Sequence, residues 1–264
     1  WLFKEARENT GEDWSEKVAS EIAALLGVST HRAELAIWEG RRGCAVRSFL
    51  DPGKQFLVHG NELLGGIITG YDKAKLRGQA DHTFDNIVAV LERLFRDEKA
   101  RTLAASRMAG YVVLDALTGN TDRHHENWGI VLEPRGTATK RMTSLVQLAP
   151  TFDHASSLGR ELTDDAREEH LRRGTLERYI RKGRGGIYAS PDARHGMSPL
   201  GAAEMLAQRY PAFFRPWQER VAAIEGEKCQ QLIQRVPSGR MSEAARAFAV
   251  TFLCASRKAL LKVL

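Results

Sequence analysis

The segment from Arg101 to Thr118 constrains the fold more than any other in this chain. Its centre, Tyr111-Val112-Val113-Leu114, is apolar on most sides of a helix. A helix without a polar face has to be surrounded by other elements. It is therefore read as the core helix of a substantial domain. At Gly119 the pattern stops, and a polar cluster, Asn120 to Asn127, leads into a short strand from Trp128 to Leu132. A polar loop held between a buried helix and a strand is rigid at both ends, and such loops tend to carry catalytic groups.

The flanking patterns predict two units. Before Gly60, Trp14, Val18, Ile22 and Leu25 recur at helical spacing, with Ala19 and Ala23 widening the stripe, so a helix is expected over Asp13 to Leu26, ending at Gly27. Strands are expected over Ala33 to Trp38, Cys44 to Leu50 and Gln55 to His59, with turns at 39–43 and 51–54. After Gly60 the pattern becomes helical. An amphipathic helix from Phe84 to Phe95 precedes the core helix, and strands at Trp128 to Leu132 and Ser144 to Leu148 enclose a polar loop. The remainder is helical with one break, Gly183 to Gly196, and closes on an apolar helix from Phe248 to Leu264. The expectation is a small β-rich unit, residues 1–60, and a larger helical unit, residues 61–264. The length of 264 residues suits one large domain or two lobes.

Composition narrows the class. The chain is 43% hydrophobic and 27% charged, which excludes a disordered tail, collagen or a coiled-coil rod. Cys44, Cys229 and Cys254 are odd in number and scattered, so they are read as buried thiols in a reducing, cytoplasmic setting rather than as a disulfide or zinc framework. No apolar run approaches the ~20 residues that span a bilayer. The formal net charge is +6, and basic residues concentrate from Arg167 to Arg184. That run is read as a solvated helix face, with a patch for an anionic partner as the alternative. The Gly183-Arg184-Gly185-Gly186 stretch lacks a preceding strand and a Gly-Lys-Ser ending, so it is read as a flexible loop rather than a phosphate cradle.

Chemistry concentrates in two loops that flank one hairpin. Asp122 and Asn127 stand in the first, and Asp153, within Ala149-Pro150-Thr151-Phe152-Asp153-His154, stands in the second. In protein kinases an Asp-x-x-x-x-Asn loop supplies the base and a Mg²⁺ ligand, and a further Asp after a strand supplies another ligand. The spacing here is the same, and hard oxygen donors suit magnesium. Lys4, after the apolar Trp1-Leu2-Phe3, fits a strand lysine that reaches nucleotide phosphates, and Glu16 on the next helix fits its partner, with Glu21 on the same helix as the alternative. Four other readings compete. A polar turn explains the loop without chemistry. A metal-nuclease site built on His124, His125 and His154 lacks a ligand set of suitable spacing. A non-catalytic binding module, or a small-molecule or lipid phosphotransferase, remains open on the same fold.

The residues Asn120-Thr121-Asp122-Arg123-His124 with Asn127, Ala149-Pro150-Thr151-Phe152-Asp153 with Ser156, and Leu2-Phe3-Lys4 resemble the HipA-like serine/threonine kinases, the toxin kinases of bacterial toxin–antitoxin systems. The resemblance implies an α+β, bilobal protein-kinase-like fold, with a small β-rich N-lobe carrying one helix and a larger, mostly helical C-lobe. It implies ATP and Mg²⁺ as cofactors. Lys4 would contact ATP phosphates, with Glu16 as its pairing glutamate. Asp122 would be the base, and Asn127 and Asp153 would ligate the metal. His124 would support the loop, and the strand ending at Val58, His59 and Gly60 would be the hinge that meets adenine through main-chain atoms. The resemblance implies as partners a protein substrate, such as an aminoacyl-tRNA synthetase or other translation factor, and a small DNA-binding antitoxin, with no membrane and no direct nucleic acid. Family members carry a phosphate-covering loop before the lysine strand. None precedes Lys4, and the chain opens at Trp1 without an initiator Met, so further sequence is expected upstream.

Overall fold

The computed structural model describes residues 1–135 and 143–263. The chain begins with β1 (Leu2–Glu5), α1 (Glu12–Leu26), β2 (Ala33–Trp38) and β3 (Arg41–Val46). These strands form an antiparallel sheet in the order β1-β3-β2, with Lys4 opposite Cys44. The face of α1 that carries Val18, Ala19, Ile22 and Ala23 is fully buried. The helix stops at Gly27, whose left-handed φ of 73° lets its N–H return to the carbonyls of Ala23 and Ala24.

The β2–β3 turn is tighter than the sequence pattern suggested. Glu39 and Gly40 both have positive φ, 49° and 74°, and alone make the turn. A two-residue turn of this hand matches strand twist, so Arg41, Arg42 and Gly43 pair with Trp38, Ile37 and Ala36. The strand therefore runs from 41 to 46 instead of 44 to 50. A Cβ on Gly43 would lie 2.2 Å from the Lys4 carbonyl, so the strand that carries Lys4 needs a glycine beside it.

A second antiparallel sheet, β4-β5-β6, comprises β4 (Phe56–His59), β5 (Gly129–Arg135) and β6 (Thr143–Leu148). The expected hinge strand thus pairs with β5 alone, which in turn pairs with β6, leaving β4 at the sheet edge. Strand β5 runs on to Arg135, into the polar loop expected at 133–143, and residues 136–142 of that loop lie outside the described residues. Between β4 and β5 lie α2 (Gly60–Ile67), α3 (Phe84–Leu94) and α4 (Glu98–Thr118). No pattern had predicted α2. Three of its eight residues are glycine, which lowers helix propensity, and burial of Leu63 and Leu64 holds it instead.

The rest is α5 (Asp164–Arg173), α6 (Leu176–Lys182), α7 (Pro199–Arg209), α8 (Pro211–Ala223), α9 (Gly226–Gln234) and α10 (Glu243–Leu261). Helix α4 is the axis. Every residue from Met108 to Thr118 is buried, and α7, α8 and α10 surround it. Of the cysteines, Cys44 and Cys229 are buried but Cys254 is exposed, unlike the expectation for all three. Most of the basic run from Arg167 is an ion-paired helix face: Arg172 and Arg173 meet Glu169, and Arg181 meets Glu204. Among the described residues no helix is long and apolar enough to cross a membrane.

Gly60 joins β4 to α2 where there is no room for a side chain. Its N–H donates to the Trp128 carbonyl, and a Cβ would fall 2.2 Å from the Trp128 ring and 2.6 Å from the His125 carbonyl. Gly60→Ala is expected to lower stability by about 1–3 kcal/mol, as overpacked cores do. A urea midpoint measured at unchanged m-value checks this.

Candidate active site

The site is built outward from one carboxylate. Asp115, near the end of α4, is buried in an otherwise apolar stretch. Gly119 then turns the chain at φ 72°, with Phe252 packed where a Cβ would stand. The turn brings Arg123 back onto Asp115. Both side chains are buried, and the guanidinium donates from Nε and Nη2, each at 2.8 Å, to the two carboxylate oxygens. Asn120 donates to the same carboxylate at 2.9 Å. The remaining guanidinium nitrogen donates to the Asn127 carbonyl at 2.6 Å and the Phe152 carbonyl at 3.3 Å. One buried arginine therefore ties the loop after α4 to the loop after β6.

Asp122 and Asn127 take their positions from this frame. The Asp122 N–H donates to Asn120 Oδ1 at 3.1 Å, and its side chain is 55% exposed. Asn127 is buried, and its Nδ2 donates to the Asp122 carbonyl at 2.6 Å, which leaves the amide oxygen as its acceptor end. His124 accepts the Glu126 N–H at Nδ1, and its Nε2 lies 3.9 Å from Asp122 Oδ1. Burial raises the Asp122 carboxyl above the ordinary range and the Asp153 charge adds to this, while His124, Arg160 and Arg77 oppose it.

Asp153 has a left-handed φ of 61°. Its carboxylate receives the Lys4 ammonium at 2.5 Å. Burial opposes the charge on Lys4, but the carboxylates of Asp153 and Glu16 outweigh it and raise its pKa. Glu16 does not hydrogen-bond Lys4. Its oxygens accept the His154 N–H at 2.9 and 3.1 Å and face His31 Nε2 at 2.8 Å. His31 in turn bonds the Thr151 carbonyl through Nδ1 and stacks on His154. Glu16 thus braces the 151–154 segment and acts on Lys4 through space.

Val58 lies in β4 opposite Ile130. His59 ends that strand, donates from Nδ1 to the Glu126 carbonyl at 2.7 Å, and meets the Phe152 ring edge-on at 6.0 Å. Phe49 also stacks on Phe152, at 5.8 Å. Behind the loop, Trp128 Nε1 donates to His82 Nε2 at 3.0 Å, and His82 Nδ1 donates to the Gly186 carbonyl at 2.7 Å. Gly186 packs so closely that a Cβ would sit 2.6 Å from the Arg123 carbonyl. The glycine stretch read as a flexible loop is here a packing surface for the loop after α4.

The structure thus pairs Lys4 with Asp153 and Asn127 with the Asp122 backbone, joins the two loops through Arg123, sets Glu16 against the His154 N–H and His59 against Phe152. Sequence reasoning had not singled out Arg123 and Asp115 as a pair. The available signal was Asp115 itself, because a carboxylate inside an apolar helix requires a buried partner. Phe49 had no signal.

Two sheets, a buried axial helix and this loop geometry define a bilobal, protein-kinase-like fold. A family model described as HipA-like C-terminal domain matches residues 1–205, and the chain belongs to that family. The fold is similar to that of the Helicobacter pylori proinflammatory kinase CtkA, with a TM-score of 0.77 and 21% identity over 99% of this chain and 84% of that one. It is also similar to a chain in the Shewanella oneidensis MR-1 HipA, HipB and operator DNA complex, with a TM-score of 0.61 and 14% identity over 97% of this chain and 56% of that one. No curated protein matches.

Arg123→Met would leave Asp115 buried without its ionic partner, and a loss of about 3–5 kcal/mol is expected in urea unfolding. A separate expectation concerns acid. Burial lowers the His82 pKa to about 3 and holds His154 well below its ordinary value. An unfolded histidine titrates near 6.5. Between these values the unfolded chain binds more protons, so stability is full above about pH 6.5 and falls as pH drops towards 3. His82→Gln should flatten that slope in urea midpoints taken from pH 7.5 to pH 4.

Proposed function

We propose that this chain is a phosphotransferase that moves the terminal phosphoryl group of ATP to a serine or threonine hydroxyl of a protein. The observation that carries the reading is the Arg123 bridge to the Asn127 and Phe152 carbonyls. It holds Asp122, Asn127 and the neighbour of Phe152, Asp153, on one rim.

Each residue has a part in this reading. Asp122 accepts the proton of the acceptor hydroxyl, and its raised pKa makes it a stronger base than an ordinary carboxylate. Lys4 holds phosphate oxygens with an ammonium kept charged by Asp153 and Glu16. The Asn127 amide oxygen and the Asp153 carboxylate are hard oxygen donors that fit magnesium. Bound there, the metal would neutralise charge on the β- and γ-phosphates. His124 supports the loop through its bond to the Glu126 N–H. As an edge strand, β4 keeps one row of main-chain groups unpaired in its sheet, which suits contact by Val58 and His59 with an adenine edge, whereas the Gly60 N–H is already taken by the Trp128 carbonyl. The nucleotide would then lie between a lobe of residues 1–60 and the helical remainder.

The antitoxin reading draws on a relative, and the substrate reading on the resemblance to toxin kinases. The Shewanella HipA structure contains HipB and operator DNA, and by analogy a small DNA-binding antitoxin would meet this chain. The substrate would be a protein, such as an aminoacyl-tRNA synthetase or other translation factor, in the cytoplasm, and phosphorylating it would make the chain a toxin.

The test is transfer of label from γ-labelled ATP and magnesium to proteins of a bacterial lysate. Asp122→Asn should cut transfer by about 10²–10⁴ at unchanged melting temperature. Lys4→Met should raise the KM for ATP, and Asp153→Ala should demand more magnesium. Label appearing only in lipid or a soluble alcohol, or no turnover at all, would overturn the proposal.

A further inference from the structure

A cleft of about 530 Å³ opens beside Asp122. Its walls include Asp122 and His124 but not Lys4, Asn127 or Asp153. Asp122 is the one acid in its walls, and four arginines line it: Arg7, Arg77, Arg160 and Arg184. Arg7 and Arg160 share the carboxylate of Glu12, each donating at 2.8 Å, and Arg160 also reaches Ser156 Oγ at 3.3 Å. Among the described residues Arg77 and Arg184 form no hydrogen bond or ion pair. The cleft keeps a net positive charge next to an exposed carboxylate.

The two unpaired arginines stand on anchored backbone. Arg77 precedes Gly78, at φ 71°, and Gln79, a buried residue that donates to the Asp72 carbonyl at 2.6 Å. Arg184 precedes Gly185, whose N–H donates to the Met197 carbonyl at 2.7 Å, and Gly186, packed on the Arg123 backbone. The charge of Arg77 is near enough to act on Asp122. Unopposed cations there weaken a base, so the arrangement suits an occupant that brings its own negative charge. Guanidinium groups bind carboxylate and phosphate by paired hydrogen bonds.

We infer that this cleft receives the acceptor segment and selects a peptide whose serine or threonine is flanked by acidic side chains. This rests on the phosphotransferase reading and adds the substrate class to it. A peptide suits the site better than a single-stranded nucleic acid. Such strands bind on exposed aromatic platforms, whereas Tyr188 in this cleft is only 8% exposed.

The test uses two fluorescent peptides of equal length with a central serine, one flanked by Asp and Glu and the other by Asn and Gln. Anisotropy without nucleotide should show the acidic peptide bound at least tenfold tighter, and less tightly at high salt. Arg77→Gln with Arg184→Gln should bring the two within twofold. Arg77→Glu with Arg184→Glu should favour a Lys-flanked peptide. In phosphate transfer the same preference should appear in KM, with kcat little changed. A phosphoserine flank that also binds tightly supports the same chemistry. Equal binding of the two peptides, an acidic preference untouched by the arginine substitutions, or tighter arginine-dependent binding of a single-stranded RNA overturns the inference. Acidic preference without transfer would leave it standing and remove the phosphotransferase reading. Transfer without flank preference would do the reverse.

Discussion

The buried Arg123–Asp115 pair is the interaction on which the rest of the site depends. A carboxylate and a guanidinium removed from water cost several kcal/mol each unless their hydrogen-bonding capacity is filled. Here it is filled in a particular way. Asp115 takes both forks of the guanidinium and Asn120, and the spare guanidinium nitrogen is left for the two carbonyls of Asn127 and Phe152. Satisfying the ion pair and setting the distance between the two functional loops are therefore one requirement. The loops cannot drift apart without exposing an unpaired buried charge.

The first sheet is joined to this frame by polar contacts of its helix. The Ser15 hydroxyl donates to the Ser157 carbonyl and accepts the Ser157 N–H, and Glu16 caps the His154 N–H. Asp13 is clasped between Arg42 and Arg240, which links α1, β3 and the segment before α10. These groups are buried and hydrogen-bonded, so α1 sits in one register against the 151–157 segment. Lys4 then meets Asp153 because β1 is held on β3 by a glycine and β3 lies over α1. The geometry passes from packing to hydrogen bonds to the charged groups at the rim.

Much of this was legible in the residues. The apolar helix, the stop at Gly119, and the polar loops around a hairpin follow from periodicity and from the exclusion of unpaired polar groups from cores. The helix of the first unit was visible in its stripe of Trp14, Val18 and Ile22. Less legible were features set by contacts between distant segments. Helix α2 is poor in propensity and rests on burial of Leu63 and Leu64. The start of β3 at Arg41 depends on positive φ at Glu39, which its residue type does not advertise. The role of Gly186 depends on the backbone that lies against it.

By itself the sequence determined which groups are available and in what order. It set a core helix, two loops bearing Asp122, Asn127 and Asp153, a strand lysine, and glycines where the chain must turn. Local periodicity and backbone sterics suffice for that, because they act over a few residues. Only the tertiary structure decided who meets whom. Lys4 bonds Asp153, Glu16 bonds the backbone of His154, β4 joins β5, and Arg77 and Arg184 come to one cleft. Those pairings link residues up to 149 positions apart. Close packing and the need to satisfy each buried charge select among the partners that sequence spacing leaves open.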